Sequence, residues 1–238
     1  MKQKNWKVIA FDADDTLWIN EPIFSGTVRK FEQILDKYLT IDAKMEEEIY
    51  QREKRNLSLF GYGIKAYTLS LIETAIEITE GRITGDDIQK VLDIGKDMLA
   101  HPIELIEGVQ ETIEQLGALY ELMVITKGDL FDQENKLARS GLADSFKYVE
   151  IVSEKDKATY SRLLKRHELE PEEIMMVGNS LKSDVLPVLE LGGQAVHIPF
   201  RSTWIHEQVA EEQLKGLDFI QLKNIRELMP FLVKKAYS

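Results

Sequence analysis

Short apolar runs alternate with amphipathic stretches along most of this chain. The runs "KVIAF" (7–11), "YELMVIT" (120–126), "YVEIV" (148–152), "IMMVG" (174–178), "QAVHIP" (194–199) and "DFIQL" (218–222) are bounded by turn residues, and each is predicted to be a strand. Between them, apolar residues recur at helical spacing near 109–117, 129–140, 156–167 and 182–191, each stretch ended or followed by Gly or Pro. Strands that alternate with helices of this length predict an α/β fold with a parallel sheet assembled from βαβ units.

The rhythm breaks once. From about residue 20 to 105 no strand pattern is found, only the helical patterns "TVRKFEQILDKYL", "AKMEEEIYQREKR", "KAYTLSLIETAIEIT" and "DDIQKVLDIGKDML". Residues 20–105 are therefore expected to form an all-helical module inserted after the first strand. Residues 1–19 and 106–238 form the α/β domain, with the chain returning to the sheet at Gly108. No internal repeat or low-complexity segment interrupts this plan.

Composition narrows the function. The 238 residues, 44% of them hydrophobic, suffice for a large core, and the absence of Cys excludes disulfides, a thiolate nucleophile and Cys-ligated metal. The opening "MKQKNWK" leads into an apolar run too short for a signal-peptide core, and no segment approaches the length of a membrane span. A cytoplasmic location without a membrane partner is the default expectation. Lys and Arg total 30 against 41 Asp and Glu, a net charge of -11, which disfavours nucleic acid as a partner. An anionic small substrate then needs a local cation. The sequence leaves the oligomeric state open.

Ligands of an open parallel sheet sit at the carboxyl ends of its strands, and these strands end in reactive residues. The first runs into Asp12, Asp14 and Asp15, the second into Thr126; Lys155 follows the third, and "GNSLKSD" after the fourth presents Asn179, Ser180 and Asp184. Such a set suits a phosphate and a magnesium ion, a hard cation that takes oxygen ligands and keeps several waters. Asp12 is the candidate nucleophile, giving an aspartyl-phosphate, and Asp14 the candidate acid and base. Thr126 and Lys155 supply a hydroxyl and an ammonium for the transferred group.

On these motifs the chain resembles the haloacid dehalogenase superfamily. The family's hhhhDxDxT stands here as "VIAFDADDT", with Asp12, Asp14 and Thr16; its strand-end Ser or Thr matches Thr126 in "LMVITKGD"; its Lys matches Lys155 in "SEKDKATY"; and its GDxxxxD pattern stands as "VGNSLKSDV", ending in Asp184. The resemblance implies a Rossmann-like core with the helical insert as a cap of the C1 type. It further implies Mg²⁺ held by Asp12, Asp14, Asn179 and Asp184, a small phosphorylated metabolite as substrate, and phosphate contacts from Ala13, Thr16, Thr126, Lys127 and Lys155. Two departures stand out: Asn179 replaces the usual Asp, and Lys157 competes with Lys155, which is favoured by its distance from Tyr160.

Other readings are kept beside this one. A 2-haloacid dehalogenase uses the same nucleophile without a metal, but that branch lacks the second Asp of the first motif. A signalling receiver carries its phosphoacceptor on a middle strand and has no long insert. A phosphomutase shares the motifs, and a phosphate-binding protein without turnover is hinted at by Asn179. The loop "FGYGIK" (60–65) reads either as a turn between helices or as a substrate loop carrying Tyr62 and Lys65. Trp18 packs between modules or lines the substrate cavity. His101, His167, His197 and His206 lack metal-ligand spacing, and the acidic run "MEEEIYQREKR" reads as a solvated helix face.

Overall fold

In chain order the elements are β1 (Val8–Phe11), α1 (Glu21–Leu35), α2 (Met45–Phe60), α3 (Ile64–Ile78), α4 (Gly85–Ala100), α5 (Val109–Gly117), β2 (Glu121–Lys127), α6 (Leu130–Ser140), β3 (Tyr148–Val152), α7 (Lys157–Arg166), β4 (Ile174–Gly178), a π-helical turn (Leu181–Val185), α8 (Leu186–Leu189), β5 (Gln194–His197), β6 (Ile220–Gln221) and α9 (Leu228–Ala236). The computed structural model describes residues 6–39, 45–201, 207, 209, 210, 214, 216, 217 and 219–236. His206, Ala43, Lys44 and the first residue of "DFIQL" lie outside them. The chain divides into two compact units. The first holds Met1–Glu21, Ile103–Lys127 and Asn135–Ser238, the second Pro22–Pro102 and Gly128–Glu134.

The first unit is the expected α/β fold. Its six strands lie in the order β3-β2-β1-β4-β5-β6, and every neighbouring pair is parallel. β1 is central, paired with β2 from Val8↔Glu121 and with β4 from Val8↔Ile174, and all four of its residues are buried. Strand alternation divides them between two cores. Ile9 and Phe11 pack with Ile113 of α5, Leu137 of α6 and Leu228 of α9, whereas Val8 and Ala10 pack with Tyr160 and Leu163 of α7 and Val188 of α8. A strand apolar on both faces is what a sheet covered by helices on each side requires.

The expected helix over 182–191 is instead a π-helical turn followed by the short α8. Pro187 is the physical reason: it has no N–H to offer the carbonyl four residues back, Ser183. That carbonyl accepts the Tyr160 hydroxyl at 3.0 Å instead.

The second unit is helical, with a core that includes Phe31 of α1, Ile49 of α2, Leu71 of α3 and Val91 of α4. α3 and α4 approach closely because Gly95 has no side chain; a Cβ there would overlap the side chain of Thr68. The buried carboxylate of Asp87 ties this unit together. It takes Lys37 Nζ at 2.6 Å, Lys90 Nζ at 2.8 Å and the Tyr38 hydroxyl, and hydrogen bonding to Lys37 first holds its carboxyl well below the usual range. No helix among the described residues is long and apolar enough to cross a membrane.

Candidate active site

β1 delivers Asp12 to the carboxyl end of the sheet, where its backbone N–H still pairs with the Val177 carbonyl at 2.9 Å. The chain then turns at once. The Ala13 carbonyl accepts N–H bonds from Thr16 at 3.2 Å and Leu17 at 2.8 Å, and Asp15 adopts the left-handed conformation at φ 61°. Asp tolerates that region better than most residues, and Asp15 uses its carboxylate to accept the N–H groups of Asn20 and Glu21 at 2.8 and 3.0 Å. Asp15 therefore has a structural task at the start of α1. Burial raises its carboxyl to about 7.

Turning there presents Asp12, Asp14 and Thr16 together. Thr16 Oγ1 donates to Asp12 Oδ2 at 3.0 Å and accepts the Asn179 N–H at 3.1 Å, so this hydroxyl fixes the carboxylate and joins the ends of β1 and β4. Lys155, 3% exposed, lies between two carboxylates, paired with Asp12 Oδ1 and with Asp184 Oδ1 at 2.8 Å. Lys157, the competing lysine, is exposed at the first position of α7. Burial raises the Asp12 carboxyl to about 7 against the pull of Lys155, and it raises Asp184 too. Burial alone would lower the Lys155 ammonium, but the two carboxylates hold it above its usual range.

Asp184 reaches this place because β4 ends in glycine. A Cβ on Gly178 would fall within the Asp184 carboxyl group. The carboxylate's second oxygen accepts the Ser180 N–H at 2.9 Å. Asn179 sits between these groups, its carbonyl taken by His197 Nε2 at 3.0 Å. His197 is thus a satisfied, buried histidine; His167 is bonded to Glu150 at 2.7 Å, and the exposed His101 lies 3.0 Å from the Pro102 carbonyl.

Asp14 is held by residues whose part was not read from the sequence. The Trp18 indole N–H donates to Asp14 Oδ1 at 2.7 Å, and Lys136 Nζ contacts the same oxygen at 3.1 Å, Oδ2 at 3.3 Å and Asn20 Oδ1 at 2.9 Å. Trp18 is almost fully buried, packed in the core of the first unit with its one polar atom on the acid. Lys136 is a buried lysine of α6 beside Leu137, and the buried positions of that helix are mostly polar, so no apolar stripe marked it in the sequence. Thr126 is buried near the end of β2. The ammonium of neighbouring Lys127 is engaged by Glu207, with Ser183 Oγ at 3.2 Å. Lys65 belongs to the second unit, where it pairs with Asp129 at 2.8 Å and lies over the Phe131 ring.

The cluster suits a magnesium ion by its chemistry. Asp12, Asp14, Asn179 and Asp184 offer side-chain oxygens, the ligands a hard cation takes, and Lys136 and Lys155 already stand against these carboxylates as cations. A phosphate adds further negative charge. Among the described residues no three acidic or imidazole side chains are placed to hold a metal ion together; magnesium commonly takes one or two carboxylates, with waters and a phosphate filling the rest.

Comparison with known proteins agrees with this fold. A family model described as haloacid dehalogenase-like hydrolase matches residues 6–192. A glyceraldehyde 3-phosphate phosphatase from Methanothermobacter thermautotrophicus is 26% identical over 95% of this chain and 99% of its own length. The crystal structure of a haloacid dehalogenase-like family hydrolase from Xanthomonas campestris is 40% identical, covers 98% of this chain and 94% of its own, and superposes with a TM-score of 0.84. A 2-haloacid dehalogenase from Pseudomonas syringae, 22% identical over 97% of this chain and 99% of its own at a TM-score of 0.64, shares the fold.

Proposed function

Because the chain belongs to the haloacid dehalogenase-like hydrolases, we propose that it is a magnesium-dependent phosphatase that hydrolyses a small phosphorylated metabolite through an aspartyl-phosphate on Asp12. The observation that carries this reading is the second carboxylate, Asp14, held two residues from Asp12 by Trp18 and Lys136. Displacement of halide needs no proton donor at that place; expulsion of an alkoxide does.

In the first step an Asp12 oxygen attacks phosphorus, the P–O bond to the ester oxygen breaks, and Asp14 gives that oxygen a proton. In the second, water attacks the acyl phosphate, Asp14 takes its proton back, and inorganic phosphate leaves with the Asp12 carboxylate restored. Lys155 orients Asp12 and stands beside the phosphoryl oxygens, and Thr126 offers them a hydroxyl. The backbone at Ala13 lies next to the nucleophile. Asp12, Asn179 and Asp184 would hold the metal, the Asp14 carboxyl being given to the proton, and the metal when bound supplies charge neutralisation and polarisation of the phosphate. The helical second unit is read as the cap that selects the substrate. The name of the archaeal relative makes three-carbon phosphates the first to try.

Purified protein should hydrolyse an aryl phosphate with Mg²⁺, lose that activity with chelator and regain it on adding the ion. Release of halide from a 2-haloacid without phosphatase activity would overturn the assignment.

A further inference from the structure

Glu207 lies between β5 and β6, where the sequence reading expects no element, yet its carboxylate is buried in the first unit. One oxygen pairs with Lys127 Nζ. The other accepts two hydroxyls, from Ser180 and, at 2.6 Å, from Ser183. Lys127 ends β2 and Ser180 follows β4, and these are the two strands that flank β1. A single side chain thus links the neighbours on both sides of the strand that delivers Asp12.

The bonds continue inward. Ser180 caps the π-helical turn through the Ser183 N–H at 3.0 Å, and its own N–H holds Asp184 Oδ2 at 2.9 Å. Asp184 holds Lys155, and Lys155 holds Asp12. We propose that Glu207 is a positioning residue of the hydrolase: it anchors the Ser180–Asp184 loop and engages the Lys127 ammonium, so that Lys155 is the lysine that meets Asp12. This inference rests on the phosphatase reading.

Glu207→Gln keeps the shape and removes the charge. In that variant kcat should fall at least about tenfold while KM stays within about threefold, since the loop and not the substrate loses its anchor. Native-state amide exchange across residues 178–186 should quicken at least about fivefold, a readout that needs no turnover. Should Glu207→Gln not fold, Ser183→Ala removes one donor and should give the same kcat-only loss, smaller in size. A rise in KM alone, or unchanged kcat with unchanged exchange, overturns the proposal. Quickened exchange with unchanged kcat in an active enzyme overturns the positioning role. A wild type without any phosphatase activity defeats the reading beneath it, whereas the exchange experiment still decides whether Glu207 anchors the loop.

Discussion

Asp12 is placed where a carboxylate is costly, and its neighbours decide what form it takes. Burial drives it toward the neutral acid, to about 7, while Lys155 and the Thr16 hydroxyl favour the anion that a nucleophile must be. Asp12→Asn keeps the shape and removes both the nucleophile and one charge of a crowded set. Turnover should disappear, and the melting temperature should hold or rise, because Asp184 still balances Lys155. Phosphatase activity persisting in the verified variant would count against Asp12. Asp14→Asn asks a different question. If Asp14 protonates the leaving oxygen, its loss should slow alkyl phosphates by about 10²-fold or more, and aryl phosphates by much less, since a phenolate departs unaided. Equal losses for the two substrates would remove Asp14 from the acid role.

Elements explain why much of the site was readable and part of it was not. Asp12, Thr126, Lys155 and Asp184 each follow or end a strand whose apolar run is visible in the sequence, and a parallel sheet gathers strand ends on one edge. The helical insert was readable for the opposite reason, the lack of any strand pattern. Lys136 and Glu207 escaped because neither belongs to a strand end. Lys136 reaches Asp14 across 122 positions from the middle of a helix, and Glu207 reaches Lys127 across 80 from the segment between β5 and β6. The π-helical turn escaped because periodicity cannot reveal how a proline redirects a carbonyl. Gly178 belongs to this scale, since it looks like an ordinary turn residue and in fact makes room for the Asp184 carboxyl. Gly178→Ala must push that group aside. The variant should lose about 1–3 kcal/mol of stability by urea unfolding and about 10²-fold in kcat/KM, the scale expected for a displacement near 1 Å. Wild-type kinetics in that variant would mean that Asp184 can be moved without consequence.

The whole molecule carries a charge of -11 and a pI near 5.0, so acidification toward the pI relieves general repulsion. Glu207 works against that trend. Burial would raise its carboxyl, but Lys127, Ser180 and Ser183 bring it down from 4.5 to about 2. A carboxylate whose folded value lies below its unfolded one stabilises the fold above the unfolded value, and the benefit is lost as pH falls through the folded one. The window here runs from pH 4.5 down to about 2. Across it the fold loses at most about 3–4 kcal/mol, because a tenfold change in proton affinity corresponds to about 1.4 kcal/mol. Glu207→Gln lacks this titration. At neutral pH it should be the less stable protein by up to that amount, and below pH 4.5 the two unfolding curves should converge as the wild-type carboxylate takes up its proton. Denaturant unfolding of both proteins at intervals from about pH 7 to 3 measures the gap directly. A gap that stays constant across that range would show that the charge on Glu207 contributes nothing to the fold, and that the Lys127 pair is no more than an exposed ion pair in strength.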